Sequence, residues 1–207
     1  MLLINSKRTL KVVPNLYYLD SFQELTEALF HHVKAQKILG IDVDPDLIKV
    51  AESKYCLNNP SLAFKHCDIT EDNSIEVIDD YLRQQNIEIF NMIFCFSVTM
   101  WIHLNQGEPG LLKLFEHCHR LTNRWLILEP QPWKCYMTAA RRMRKLKKPE
   151  FEHLESIVHR QDKLLPYLTG ICETVGFKLV SQLGQTNWDR KIFLFEKISS
   201  KGIKENN

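Results

Sequence analysis

Short apolar runs alternate with amphipathic stretches of helical spacing along most of this chain, and several of the runs end in an acid. Lys37–Asp42 (KILGID) reads as a compact strand closed by Asp42. Pro45–Leu57 reads as a helix, with Pro near its first turn and Leu47, Ile48, Val50 and Ala51 at apolar positions. Leu62–Ile69 (LAFKHCDI) alternates like a strand and ends near Asp68. Ser74–Gln85 is helical. Asn91–Val98 (NMIFCFSV) is continuously apolar, as a strand buried on both faces requires. Gly110–Leu121 is helical, and Arg124–Glu129 (RWLILE) is a buried strand stopped by Pro130 and Pro132. Upstream, Asn15–Asp20 (NLYYLD) is a weaker strand and Glu24–Val33 a helix. This β-α alternation predicts a parallel α/β sheet with helices on both faces. The end of the chain differs. Gly176–Leu183 and Lys191–Lys197, joined by the polar link GQTNWDR, predict an antiparallel pair on the sheet edge.

No internal repeat or linker divides the chain. A single domain over 1–197 is expected, with 1–15 a poorly defined start and 198–207 a frayed tail. Hydrophobic residues make up 44% and charged residues 25%, which excludes disorder over most of the chain. No apolar run reaches the ~18 residues of a membrane span. Six scattered cysteines, Cys56, Cys67, Cys95, Cys118, Cys135 and Cys172, form no C-x-x-C pair. A reduced intracellular domain with mostly buried thiols and no structural metal is expected. The net charge of +2 does not by itself point to nucleic acid, so such a signal must be local.

In an open α/β sheet, ligands bind beyond the carboxyl ends of the strands. Asp42 can hold a ribose diol there, because a carboxylate accepts from both hydroxyls. Its competing reading, shared with Asp44, is a cap for the helix that follows. Asp68 can accept from an adenine amine, or simply terminate a turn. No G-x-G, G-x-G-x-x-G or Walker sequence occurs. The link Asp20-Ser21-Phe22-Gln23-Glu24 has no glycine to let backbone approach a ligand. Lys134–Lys148 carries seven basic residues and no acid. On a helix, Tyr136, Ala139, Met143 and Leu146 form one apolar stripe, with Lys134, Arg141, Lys145 and Lys148 opposite. Such a ridge suits a polyphosphate backbone. The competing reading is a solvated helix face. A membrane-surface helix is disfavoured, because the small apolar stripe is needed by the core.

SVTMWIHLN with LNQGEPGLLKLF behind it, then LILEPQPWKCY, then TNWDRKIFLFEK, resemble the bicoid-interacting-type RNA methyltransferases over roughly Leu25 to Lys197. The WKCY…ARR…RKL stretch resembles most the members that methylate an RNA 5′-monophosphate on histidine tRNA and microRNA precursors. The resemblance implies a class I S-adenosylmethionine-dependent fold: a mostly parallel seven-stranded sheet with a final antiparallel hairpin. It implies S-adenosylmethionine as cofactor, with Asp42 and Val43 at its ribose, Asp68 and Ile69 at its adenine and Phe96 beside its methionine part. His103, Asn105 and Lys134 would position the acceptor phosphate, and Arg141, Arg142, Lys145 and Lys148 would carry RNA. It implies a monomer in the cytoplasm, although RRMRKLKK also reads as a nuclear signal. In one place the chain departs from the family. The family's first motif, L-D-x-G-C-N-x-G-E-L, is here Leu19-Asp20-Ser21-Phe22-Gln23-Glu24-Leu25, with flanks alike and the G-C-N-x-G core absent. Methyl transfer to a 5′-phosphate oxygen of a small RNA is therefore weighed against two rivals. One is an impaired isoform or RNA-binding scaffold that has lost the cofactor. The other is a methyltransferase for small molecules or proteins.

Overall fold

The computed structural model describes residues 1–5, 35–56, 59–186 and 188–198. They build one mixed seven-stranded sheet, ordered β3-β2-β1-β4-β5-β7-β6. The strands are β1 (Leu2–Asn5), β2 (Lys37–Asp42), β3 (Leu62–His66), β4 (Phe90–Phe96), β5 (Thr122–Glu129), β6 (Phe177–Gln185) and β7 (Lys191–Lys197). The helices are α1 (Pro45–Ala51), α2 (Ser74–Gln84), α3 (Thr99–Leu121), α4 (Trp133–Lys145) and α5 (Leu164–Thr174).

The β-α alternation holds from β2 onward. Apolar residues on alternate sides of the strands feed two cores, as period-2 geometry demands. Leu39, Ile41, Ile93, Cys95, Leu126, Leu128, Phe193 and Phe195 face α2, α3, α4 and α5. Ile38, Phe64, Met92, Phe94, Ile127, Ile192 and Leu194 face α1. β4 thus contributes to both cores, as its unbroken apolar sequence requires. Four of the six cysteines are buried, and all six are free thiols.

The centre of the sheet departs from the expected parallel pattern. β1 lies between β2 and β4 and runs antiparallel to both, with Leu3 opposite Leu39 and Ile93. Residues read as an undefined start therefore supply a central strand. The expected first strand Asn15–Asp20, the helix Glu24–Val33 and the glycine-free link between them lie outside the described residues. Among the described residues, only β2–β3 and β4–β5 are parallel pairs. β7 inserts antiparallel between β5 and β6, so the terminal hairpin is as expected and β6 is the edge.

Three further boundaries differ. The helix after β2 tightens into Pro45–Ala51 and continues as a π turn, Glu52–Cys56. β3 stops at His66, leaving Asp68 in a turn. The stretch WIHLN forms the opening turns of α3, which breaks at Gly107 (φ +67) before Pro109 restarts it. A Cβ at Gly107 would lie 3.0 Å from His153 Nδ1, so the residue is glycine for both backbone and space.

Candidate active site

β2, β3, β4 and β5 end on the same side of the sheet, and the chemistry-bearing residues follow those ends. Asp42 closes β2. Its Oδ1 accepts from the Asp44 backbone N at 2.9 Å, its Oδ2 makes no hydrogen bond among the described residues, and the residue is half-buried. Asp44 caps α1, accepting from Asp46 N and Leu47 N. The two aspartates thus divide the two readings: Asp44 holds the helix, and Asp42 keeps a free carboxylate oxygen. Val43, beside it, is exposed.

Asp68 stands one strand over, where Cys67 N donates to Asp42 O at 2.9 Å. Its Oδ1 accepts from Thr70 N and Thr70 Oγ1, at 2.9 and 2.6 Å, and its Oδ2 from Gln106 Nε2 at 3.4 Å. It acts as a turn residue, with little acceptor capacity left for an adenine amine. Ile69 is buried beneath it, and Phe96 packs edge-on to Phe94 at 5.7 Å.

The stretch Glu129-Pro130-Gln131-Pro132-Trp133-Lys134 organises the rest of this end of the sheet. Glu129, 3% exposed, accepts on Oε2 from Ser97 N (2.8 Å) and Ser97 Oγ (3.0 Å), and on Oε1 from Arg190 Nη1 (3.2 Å). Arg190 Nη1 also donates to Ser97 Oγ at 2.6 Å. Gln131 Oε1 accepts from Thr99 Oγ1 and Met100 N, fixing the start of α3. Trp133 stacks on Tyr136 and carries the Arg160 guanidinium over its ring. Lys134 pairs with Asp189 at 3.3 Å. One hexapeptide thereby ties the β4–α3 junction and the β6–β7 turn to the end of β5. Glu129 had a signal in sequence as a strand-end acid. Ser97, Gln131 and Arg190 had none, because their partners lie 32 to 93 residues away.

His103 does not stand where the sequence placed it. It is fully buried in α3, its Nδ1 lies 3.2 Å from Tyr136 Oη, and its Nε2 has no partner. The physical reason is helical phase: Ile102, His103 and Leu104 face inward, while Trp101 and Asn105 face out. Asn105 spends its amide on Trp101 O at 2.8 Å. Burial pushes the His103 pKa down to about 4, with Glu108 pulling it up and His153 and His159 pressing it further down. The folded state therefore holds the imidazole neutral, whereas the unfolded chain protonates it near 6.5. Stability from this residue is full above pH 6.5 and falls as the pH drops towards 4, by up to about 3 kcal/mol. Urea unfolding at pH 7.5 and 4.5 checks this, with the loss expected to be smaller in a His103→Gln variant. An equal loss in both would assign the pH dependence to other groups.

α4 carries the basic ridge. Tyr136, Ala139 and Ala140 are its buried face, whereas Leu146, expected in the apolar stripe, is half exposed because the helix ends before it. Arg141, Arg142 and Lys145 are exposed on the helix, and Lys148 is exposed in the turn beyond it. Among the described residues these four make no ion pair. From Lys134 at the strand ends to Lys145 the ridge runs about 16 Å. No group of three or more His, Cys, Asp or Glu among the described residues is arranged for a metal.

Two solved structures share this architecture. TnmH aligns with a TM-score of 0.54 at 7% identity, over 84% of this chain and 46% of its own. The apo form of the S-adenosylmethionine-dependent methyltransferase SibL aligns with a TM-score of 0.51 at 13% identity, over 84% and 47%. The fold is that of the class I methyltransferases. In sequence, the chain is 41% identical over 160 residues to the RNA 5′-monophosphate methyltransferase of Mus musculus, covering 77% of this chain and 55% of that protein. It is 37% identical over 187 residues to the Pre-miRNA 5′-monophosphate methyltransferase of Xenopus laevis, covering 84% and 71%. The chain thus spans little more than half the length of the mouse relative. Residues 90–197, more than half of the chain, match the model described as Bicoid-interacting protein 3. On that match and those identities, the chain belongs to the Bin3 family.

Proposed function

We propose that this chain is an RNA methyltransferase that moves a methyl group from S-adenosylmethionine to a 5′-phosphate oxygen of a small RNA. The observation that carries this reading is the 37–41% identity to relatives named for RNA and pre-miRNA 5′-monophosphate methylation. A microRNA precursor or a tRNA is the proposed acceptor. The basic ridge on α4, where Arg141, Arg142, Lys145 and Lys148 make no ion pair among the described residues, supports an RNA partner.

The residues present fit the nucleoside half of the cofactor. Asp42 offers a free carboxylate oxygen at the end of β2, where a ribose diol is held in this fold. When bound, the cofactor supplies a methyl group on a sulfonium, which leaves as a neutral thioether. The chain's own task is alignment more than proton transfer. A terminal phosphate has a second pKa of ~6, so its oxygen is anionic at neutral pH and needs no general base. Lys134, exposed at the start of α4, is suited to hold that phosphate near the strand ends. Asn105 is exposed on the same side, but with its amide already engaged.

A second reading is favoured by β1. A glycine turn that cradles the cofactor's amino-acid end needs a central strand whose carboxyl end points to Asp42. β1 runs the other way, with Met1 and Ile41 exchanging backbone hydrogen bonds at 2.9 Å. That arrangement suits an RNA-binding scaffold without catalysis.

Titration with S-adenosylhomocysteine, followed by radiolabelled methyl transfer, separates the two. The enzyme reading expects binding and labelling of 5′-monophosphate RNA with none of 5′-hydroxyl RNA. Equal labelling of both RNAs would remove the phosphate as acceptor. RNA binding by a folded chain that ignores S-adenosylhomocysteine would establish the scaffold.

A further inference from the structure

We propose that the unpaired Nε–Nη2 edge of Arg190 is the seat of the acceptor's terminal phosphate. This rests on the proposed function and adds to it the group that distinguishes a phosphorylated RNA end. A guanidinium can grip an oxyanion with two N–H groups at once, through its two Nη ends or through Nε and one Nη. In Arg190 one end is already committed. Nη1 gives both of its bonds to protein, at 2.6 Å to Ser97 Oγ and 3.2 Å to Glu129 Oε1. Nε is buried with no hydrogen-bond partner, and among the described residues Nη2 makes no hydrogen bond. A buried N–H without an acceptor is a standing penalty that a bound anion removes.

The surroundings support a built site. Glu129 is nearly inaccessible and fixes the plane of the guanidinium from behind. Ser97, which links the two, sits at φ +56, a left-handed conformation that a serine adopts only when held. Its N–H and Oγ both donate to Glu129, so the carboxylate holds it there. Local backbone strain of this kind gathers at ligand sites. Position adds a second argument. Arg190 lies over the ends of β4 and β5, across the sheet from Asp42 in the order β2-β1-β4-β5. Asp42 and Arg190 therefore stand over the same end of the sheet, with β1 between β2 and β4. Glu129 already balances one positive charge, so a dianion needs another. Lys134 stands on the neighbouring residue Asp189, in an exposed pair that a phosphate can displace. Trp188 closes the site with an indole 5.6 Å from the guanidinium and half open to solvent.

The test is binding, read apart from turnover. A short RNA hairpin with a 5′-monophosphate, and the same hairpin with a 5′-hydroxyl, are titrated into the full chain by fluorescence anisotropy. The wild type is expected to prefer the phosphorylated end by about tenfold or more. Two variants remove the edge. Arg190→Lys keeps the charge but not the fork, and Arg190→Gln with Glu129→Gln avoids leaving a buried carboxylate alone. In both, the preference is expected to fall to about twofold or less, while the 5′-hydroxyl hairpin binds as before through the basic ridge. That unchanged binding shows that the variants are folded. A folded variant that keeps the full preference overturns the assignment. So does loss of S-adenosylhomocysteine binding with the preference intact, which would give the edge to the cofactor's carboxylate. Failure of the underlying function looks different, because the wild type itself would then show no preference.

Discussion

Replacing Glu129 by Ala is expected to destabilise the fold by about 3–5 kcal/mol, the usual effect of removing one partner from a buried charge pair. Glu129 is 3% exposed and Arg190 22%, so the guanidinium left behind cannot fully rehydrate. The same change strips the acceptor from Ser97 N and Ser97 Oγ, which frees a left-handed serine to relax. It also releases the β6–β7 turn from β5, with Lys134–Asp189 as the other described ion pair between that turn and α4. Urea unfolding with an unchanged m-value is the measurement. The double variant Glu129→Gln/Arg190→Gln is expected to recover at least half of the loss, since it removes both charges and keeps polar atoms of similar size. A loss under about 1 kcal/mol in the alanine variant would mean that the pair is hydrated in solution.

Reversing the basic ridge is expected to be the largest functional effect. With Arg141, Arg142 and Lys145 all changed to Glu, RNA affinity is expected to fall by about 100-fold or more near 0.1 M salt. The slope of log K against log salt is expected to shrink by about 2–3, one for each lost phosphate contact. The three side chains are exposed, and the buried face of α4 is Tyr136, Ala139 and Ala140, so the helical circular dichroism should not change. An unaltered salt slope would remove the ridge from the RNA contact. Unchanged activity on a small acceptor would support the small-molecule reading, and lost activity on RNA would refute it.

Some of this was plain in the residue order. The apolar run of β4 announced a strand buried on both sides, and the structure gives that run to two separate cores. The acid-free run after Trp133 announced an exposed ridge, and Arg141, Arg142, Lys145 and Lys148 are all exposed. The resemblance puts His103 at the acceptor phosphate, but helical phase decides otherwise. Once WIHLN is a helix, a 100° step per residue turns His103 into the core and leaves Trp101 and Asn105 outside. Of the two readings of Asp68, adenine acceptor or turn residue, its bonds from Thr70 two residues on and from Gln106 on α3 fit the turn. Leu146 followed the helical stripe on paper, but the helix stops one residue short of it.

Hydrophobic period and residue chemistry are local properties. They were enough to determine that this chain is α/β, where most strands and helices lie, that an acid ends β2, and that one helix is basic outward. Strand pairing and charge pairing are not local. That the central strand is β1, antiparallel, depends on which residues fill the gap between β2 and β4. That Glu129, Ser97 and Arg190 form one network, with Arg190 Nε buried and unpartnered, depends on β7 folding back beside β5 and bringing residues 93 apart to 2.6 Å. A hydrogen bond needs that distance and direction, and only the closed tertiary structure supplies them.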